Sequence, residues 1–208
     1  MVHQVSDRHP LLLGSGSPRR RAILSGLGIP FEVHAAAVDE SVQPGERAEA
    51  YVERVTQTKA MALTEHLRDD FYAALLVADT VVVLDGAILG KPTDVSHAEE
   101  LVGRLVGRWH EVLTRFSIAT REGGQDVAET VRSRVYMRDA SAEEVKRYAA
   151  TGEGLDKAGA YAVQGCGAFL VQRIDGSYSN VIGLPACEVV AALQRVALLE
   201  GFPQRGGD

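Results

Sequence analysis

"PLLLGSGSPRRRAIL", residues 10–24, runs three leucines into a glycine–serine turn, then a proline, then three consecutive arginines. "LLLG" (11–14) reads as a short buried strand. "SPRRRAILSGLG" (17–28) reads as a helix, with Ser17 at the N-cap, Pro18 at the first helical position and Gly28 as its stop. Strand, tight turn and helix in that order open an α/β unit, and the rest of the chain keeps the alternation.

Downstream, "PFEVHAAAVDE" (30–40) is extended and ends in two carboxylates, Asp39 and Glu40. From Pro44 to about Leu67, Ala48, Tyr51, Val52, Val55, Ala62 and Leu63 recur at helical spacing. Lys59 falls on that same stripe, an odd position for a charge. "AALLVADTVVVLDGAILGKP" (73–92) is strand-like, and its Asp85-Gly86 pair suits a tight hairpin. "SHAEELVGRLVG" (96–107) predicts a helix with a Ser96/Glu99 capping box. Two strands, 110–120 and 127–137, flank a turn at "REGGQD". Ser141 and Glu144 cap a further helix that ends near Thr151-Gly152. "AYAVQGCGAFLVQRIDG" (160–176) reads as extended and "ACEVVAALQRVALLE" (186–200) as a final amphipathic helix. Residues 1–9 and 201–208 read as loose ends. With no internal repeat or linker, the expectation is one α/β domain over residues 1–208.

Bulk properties narrow the function classes. The 208 residues are 46% hydrophobic and 24% charged, which is ordinary globular composition. The net charge of −6 argues against an extended nucleic-acid groove, while leaving room for a local basic spot that holds one small anion. Cys166 and Cys187 match no metal or redox spacing and are expected to be buried thiols. The histidines form no HxxxH pair, so a zinc site is not expected. No signal peptide or membrane-length apolar run is seen, which gives an expectation of a soluble, cytoplasmic protein.

Three stretches could carry chemistry. The turn before the first helix exposes backbone N–H groups and the positive end of the helix dipole, and arginine adds bidentate hydrogen bonds suited to phosphate. Successive helical residues diverge by ~100°, so Arg19, Arg20 and Arg21 cannot all face one ligand. A capped helix with surface arginines is the competing reading. Asp79 sits within apolar β-branched residues, where a carboxylate is costly unless paired or coordinating a cation. "GAILGKP" is not a phosphate loop, because the glycine spacing is one short and Pro92 replaces the hydroxyl. Lys91 can still meet a phosphate as a point charge. Gln164 lies in an apolar run among glycines, either bonded to backbone or free to read a ligand. These groups together describe a site for a phosphorylated ligand and a divalent cation.

"GSGSPRRRAIL", "VDES", "ADTVVVLDGAILGKP", "GRWHEVLT" and "GEGLDKAGAYAVQGCGAFLVQRIDGSYSNVIGLP" resemble, in order, the signature blocks of the Maf family over roughly residues 10 to 200. The resemblance implies nucleoside triphosphate pyrophosphatases that release a nucleoside monophosphate and pyrophosphate with Mg²⁺ or Mn²⁺. It also implies an elongated mixed sheet flanked by helices, with two lobes around a cleft, similar to the inosine-triphosphatase (Maf/Ham1) architecture. The family's S-x-S-P-R-R loop falls on Ser15, Ser17, Pro18, Arg19 and Arg20. Its acidic residue falls on Glu40, its helix lysine on Lys59, its proton acceptor on Asp79, the following hydroxyl on Thr80 and its hairpin lysine on Lys91. Glu40 and Asp79 are the implied metal ligands. A glutamine at position 164 is similar to the branch cleaving dTTP and UTP, with Arg20 and Thr80 in the same specificity set and suited to locking its amide. Gly14 and Met137 depart from the usual alanine and aromatic.

The resemblance further implies a small-molecule nucleotide substrate, no nucleic-acid or membrane partner, and leaves a homodimer open. Associated roles are exclusion of modified nucleotides and cell-division arrest. A nucleotide-binding regulator of septum formation with little turnover is the alternative, and retention of Glu40 and Asp79 favours the enzyme. A phosphatase of the haloacid dehalogenase type fails because Val83 occupies the place of its first aspartate.

Overall fold

Leu11–Leu13 form the first strand, β1, and all three side chains are buried. Both faces are covered, Leu11 and Leu13 clustering with Leu24 and Leu193 and Leu12 with Ala60 and Leu63, and β1 has a parallel neighbour on each edge, β2 (Phe31–Val33) and β3 (Ala74–Leu84). The computed structural model describes residues 3–68, 71–120 and 127–203. On its other edge β3 pairs antiparallel with β5 (Trp109–Ala119), followed by β6 (Val127–Met137) and β7 (Val171–Asp175). The seven-stranded mixed sheet runs β2-β1-β3-β5-β6-β7, with β4 (Ala87–Leu89) folded back onto β3. The hairpin between β3 and β4 turns at Asp85 (φ 51°) and Gly86 (φ 79°), the two left-handed residues that a two-residue turn requires. Helices α1 (Pro18–Gly26), α2 (Ala48–Leu63), α3 (Val95–Leu105), α4 (Ala142–Ala150), α5 (Tyr178–Ile182) and α6 (Ala186–Arg195) flank the sheet. The mixed sheet with flanking helices is therefore as the sequence implies.

Strand β3 organises the core because successive side chains point to opposite faces. On one face Leu75 and Val77 pack in a cluster with Ala60 and Leu63 of α2, and Val81 and Val83 in another with Val52 and Val55. On the other face Leu76 and Ala78 join Leu24 of α1 and Leu193 of α6, while Val82 and Leu84 join Leu101 of α3 and Val145 of α4. The four clusters part at Asp79 and Thr80. One strand edge parts there too: β1 pairs with β3 as far as Leu76, and β4 begins pairing at Val82. The stretch between them has no strand partner on that edge among the described residues. The sheet opens where its central strand turns polar.

Several local expectations are corrected. Residues 160–176 are not one extended run. Gly159 (φ 69°) and Gly165 (φ 70°) reverse the chain into 3₁₀ turns at Ala158–Ala160 and Gly165–Leu170, and only Val171–Asp175 is strand. In α2 the buried stripe holds Thr56 and Ala60, whereas Ala62 is exposed, and a 3₁₀ turn, Thr64–Arg68, follows the helix. The cap of α3 is Asp94, whose side chain accepts the His97 N–H at 2.8 Å, so the Ser96/Glu99 box does not form. Helix α6 stops at Arg195 because Ala197 turns left-handed (φ 57°), which folds Leu198 and Leu199 back into the core. Val5 is buried and its N–H reaches the Leu198 carbonyl at 2.9 Å, so the segment from residue 3 to 9 is tied down. Residues 1–2 and 204–208 and the "REGGQD" turn lie outside the described residues. Cys166 and Cys187 are both exposed, Cys166 in a surface turn and Cys187 on the outer side of α6. No helix among the described residues is long and apolar enough to cross a membrane.

Candidate active site

A cleft of about 550 Å³ lies against the open edge of β3, and its walls include Ser15, Arg19, Arg20, Glu40, Lys59, Asp79, Thr80, Lys91 and Gln164, but neither Asp39 nor Arg21. The Asp79 carboxylate is almost fully buried, because its side chain points to the α2 face between two aliphatic clusters. Lys59 of α2 falls at the same break, and its Nζ donates to Asp79 Oδ1 at 2.7 Å. This accounts for the charge on an apolar helix stripe. The same Nζ lies 2.6 Å from Glu40 Oε1, and Lys91 Nζ lies 3.5 Å from Glu40 Oε2. The result is an alternating chain of charges, Lys91–Glu40–Lys59–Asp79. The second oxygen of Asp79 engages no partner among the described residues.

Glu40 arrives on the loop between β2 and α2. The Tyr51 hydroxyl donates to the Glu40 carbonyl at 2.9 Å, and Arg54 ties Ser41 and Glu46 to the helix. Partial burial pushes the Glu40 carboxyl up, but the Lys59 contact and the charges of Lys59 and Lys91 outweigh it and leave it below its ordinary value. Burial, with the nearby Asp79 and Glu40 charges, raises Tyr51, which keeps its hydroxyl a donor.

The opposite wall is cationic. Ser17 occupies the N-cap of α1 but its side chain makes no capping bond, so it leaves the first N–H groups of the helix uncovered. Arg20 points inward and is buried. Its Nε donates to the Gly183 carbonyl at 2.8 Å, Nη1 to Ser15 Oγ at 2.8 Å and Nη2 to Thr80 Oγ1 at 3.1 Å. Three of its five N–H groups are thus engaged. Burial and the Arg19 charge lower its affinity for its proton, opposed by Asp79. Thr80 also shares a hydrogen bond with Thr114 at 2.9 Å. Arg19 is partly exposed and reaches Asp156 at 3.2 Å, while Arg21 is exposed on the outer side of the helix.

Gln164 lines the cleft from the loop before Gly165, and its side chain is exposed and bonded to nothing among the described residues. Arg20 and Thr80 hydrogen-bond each other, Ser15, Gly183 and Thr114 and not Gln164, so no hydrogen bond from them locks its amide. Sequence reasoning missed Tyr51, Gly183 and Tyr161 as cleft walls. Tyr51 could have been suspected from its place two turns before Lys59, whereas Gly183 acts through a carbonyl that no sequence signal reports. Among the described residues, no group of three or more His, Cys, Asp or Glu side chains could hold a metal ion unaided.

Comparison with known proteins agrees with the block resemblance. A family profile described as Maf-like protein matches residues 10–196. The dTTP/UTP pyrophosphatase of Hahella chejuensis is 46% identical over 92% of this chain and 94% of its own length. Those of Geotalea uraniireducens and Myxococcus xanthus are each 46% identical, over 91% and 93% of this chain and 96% and 95% of theirs. Among solved structures, the Ham1 protein of Staphylococcus aureus aligns with a TM-score of 0.38 at 13% identity, covering 63% of this chain and 73% of that one. With a family profile spanning nearly the whole chain and relatives of this closeness, the chain belongs to the Maf family.

Proposed function

We propose that this protein is a nucleoside triphosphate pyrophosphatase that cleaves dTTP and UTP to the monophosphate and pyrophosphate; its relatives carry the name dTTP/UTP pyrophosphatase. The observation that carries the reading is the Lys91–Glu40–Lys59–Asp79 chain lying in one cleft with the uncovered N-terminus of α1. A triphosphate needs concentrated positive charge and N–H donors, and a hydrolase needs an ionised carboxylate beside them. Arg20 keeps two N–H groups for phosphate oxygens, Ser15 and the first amides of α1 add donors, and Arg19 joins once a phosphate displaces Asp156. Lys59 and Lys91 offset the charge that develops on the departing pyrophosphate.

The Glu40 carboxylate, beside Asp79, suits a hard cation that takes its remaining ligands from phosphate and water. Mg²⁺ or Mn²⁺ held there would polarise phosphate oxygens. Lys59 takes up Asp79 Oδ1, which leaves Oδ2 to accept the proton of the attacking water. Water adds at the α–β phosphoanhydride, the bridging P–O bond breaks, and pyrophosphate leaves with the electron pair.

Gln164 reads the base. Thymine and uracil present an N3–H donor beside carbonyl acceptors, matching one primary amide, whereas cytosine presents the reverse pattern. Two mismatched groups at ~1–3 kcal/mol each disfavour cytosine by roughly 2–6 kcal/mol, about thirty-fold upward. Steady-state kinetics across the common triphosphates test this. The expected order is dTTP and UTP well ahead of dCTP and the purine nucleotides. Equal efficiency for dTTP and dCTP overturns the base assignment, and no turnover of any triphosphate overturns the enzyme reading.

A further inference from the structure

We infer that Glu153 is a positioning residue for base selection, its carboxylate holding the loop that presents Gln164; this rests on the reading of Gln164 given above. Glu153 Oε1 accepts the Cys166 N–H at 2.8 Å, and Oε2 accepts the Gly167 N–H at 2.7 Å. Oε2 also takes the Tyr148 hydroxyl at 2.9 Å, and the oxygen of that hydroxyl accepts the Ala162 N–H at 3.0 Å. One carboxylate–phenol unit therefore fastens the backbone two residues before Gln164 and two and three residues after it. Tyr148 is itself fixed, buried on α4 within the core.

The glycines around Gln164 are what let the carboxylate in. A Cβ at Gly165 would stand 2.3 Å from Glu153 Oε1, and one at Gly167 would stand 2.5 Å from the Tyr148 oxygen. Gly165 also needs its left-handed backbone, φ 70°. Among the described residues the Gln164 side chain has no partner of its own, so the place its amide can reach is set by the backbone that carries it. An amide carried on a loose loop would swing between positions and meet cytosine as readily as uracil. Discrimination therefore depends on how tightly residues 162–167 are held, and the groups that hold them converge on Glu153.

The test compares kcat/KM for dTTP and dCTP, with Mg²⁺, in the parent chain, Glu153→Gln, Gln164→Ala and the double variant. An amide at position 153 cannot accept on its nitrogen side, so one of the two backbone donors loses its partner. The expected result is that Glu153→Gln loses about tenfold or more of the dTTP preference, through KM, with kcat changing far less. The double variant should match Gln164→Ala alone, because the two residues act through one contact. Amide exchange at Ala162, Cys166 and Gly167 should quicken in Glu153→Gln while β3 stays protected. If that variant does not fold, Tyr148→Phe removes one donor to Glu153 and the acceptor of Ala162, and should shift the preference in the same direction. A parent-like preference in the folded Glu153 or Tyr148 variant beside a lost one in Gln164→Ala overturns the inference alone, as does additivity in the double variant. An intact preference in Gln164→Ala overturns the Gln164 reading and this inference with it.

Discussion

Asp79 stands in a strand otherwise built of Ala, Leu, Val and Thr, and a bare carboxylate there would be too costly to bury. Lys59 offsets that cost at 2.7 Å, and Glu40 gives Lys59 a second partner. The two possible deletions therefore differ. Lys59→Met strands a buried carboxylate and should cost about 3–5 kcal/mol in chemical denaturation, with much of the loss recovered in Lys59→Met/Asp79→Asn. Asp79→Asn leaves Lys59 paired with Glu40, so the protein should fold and lose about 10²–10⁴-fold in turnover. Near-parent turnover would remove Asp79 from the chemistry. The polar residue in an apolar run was readable from sequence, as was the oddity of Lys59. That each explains the other was not, because positions 59 and 79 meet only when α2 lies across β3. Among the arginines, helical geometry said that three neighbours must diverge, and tertiary contacts with Gly183 and Thr80 decided that Arg20 turns inward.

At the scale of elements, caps written in adjacent residues were readable where one donor–acceptor pair fits and misread where two compete. Ser141 and Glu144 form the box that their spacing predicts. For α3, Asp94 and Ser96 both have capping side chains, and the chain starts the helix two residues earlier than the box requires, with Asp94 extended at φ −160°. Asp94→Ala should cost about 1 kcal/mol of stability and Ser96→Ala a few tenths at most, as read from denaturant midpoints. The reverse ranking would return the cap to Ser96. The loop at 158–170 was the least readable part. Its apolar composition resembles a strand, but left-handed glycines and a carboxylate from residue 153 decide its path. No local pattern reports a contact of that kind.

Across the whole molecule, the cleft exists because two strands share one edge of β3 and neither covers its middle. The blocks that form the site could be collected from the sequence by resemblance, yet their order around the cleft follows from that split. Behind the cleft's Tyr161 wall, His110 on β5 is 2% exposed, with one ring nitrogen 2.7 Å from the Tyr161 hydroxyl. Burial lowers its pKa from 6.5 to about 4. The unfolded chain then binds the proton first, so this contribution is complete above pH 6.5 and fades as the pH falls towards 4. The amount is roughly 3 kcal/mol by linkage. Between pH 6.5 and 4.5 the parent should lose stability more steeply than His110→Gln, and parallel slopes would contradict a neutral buried imidazole. Which bond breaks in the cleft is read from the products when purified protein is incubated with UTP and Mg²⁺. UMP and pyrophosphate in equal amounts are expected, whereas UDP with inorganic phosphate would put the break at the β–γ anhydride and rule out a pyrophosphatase.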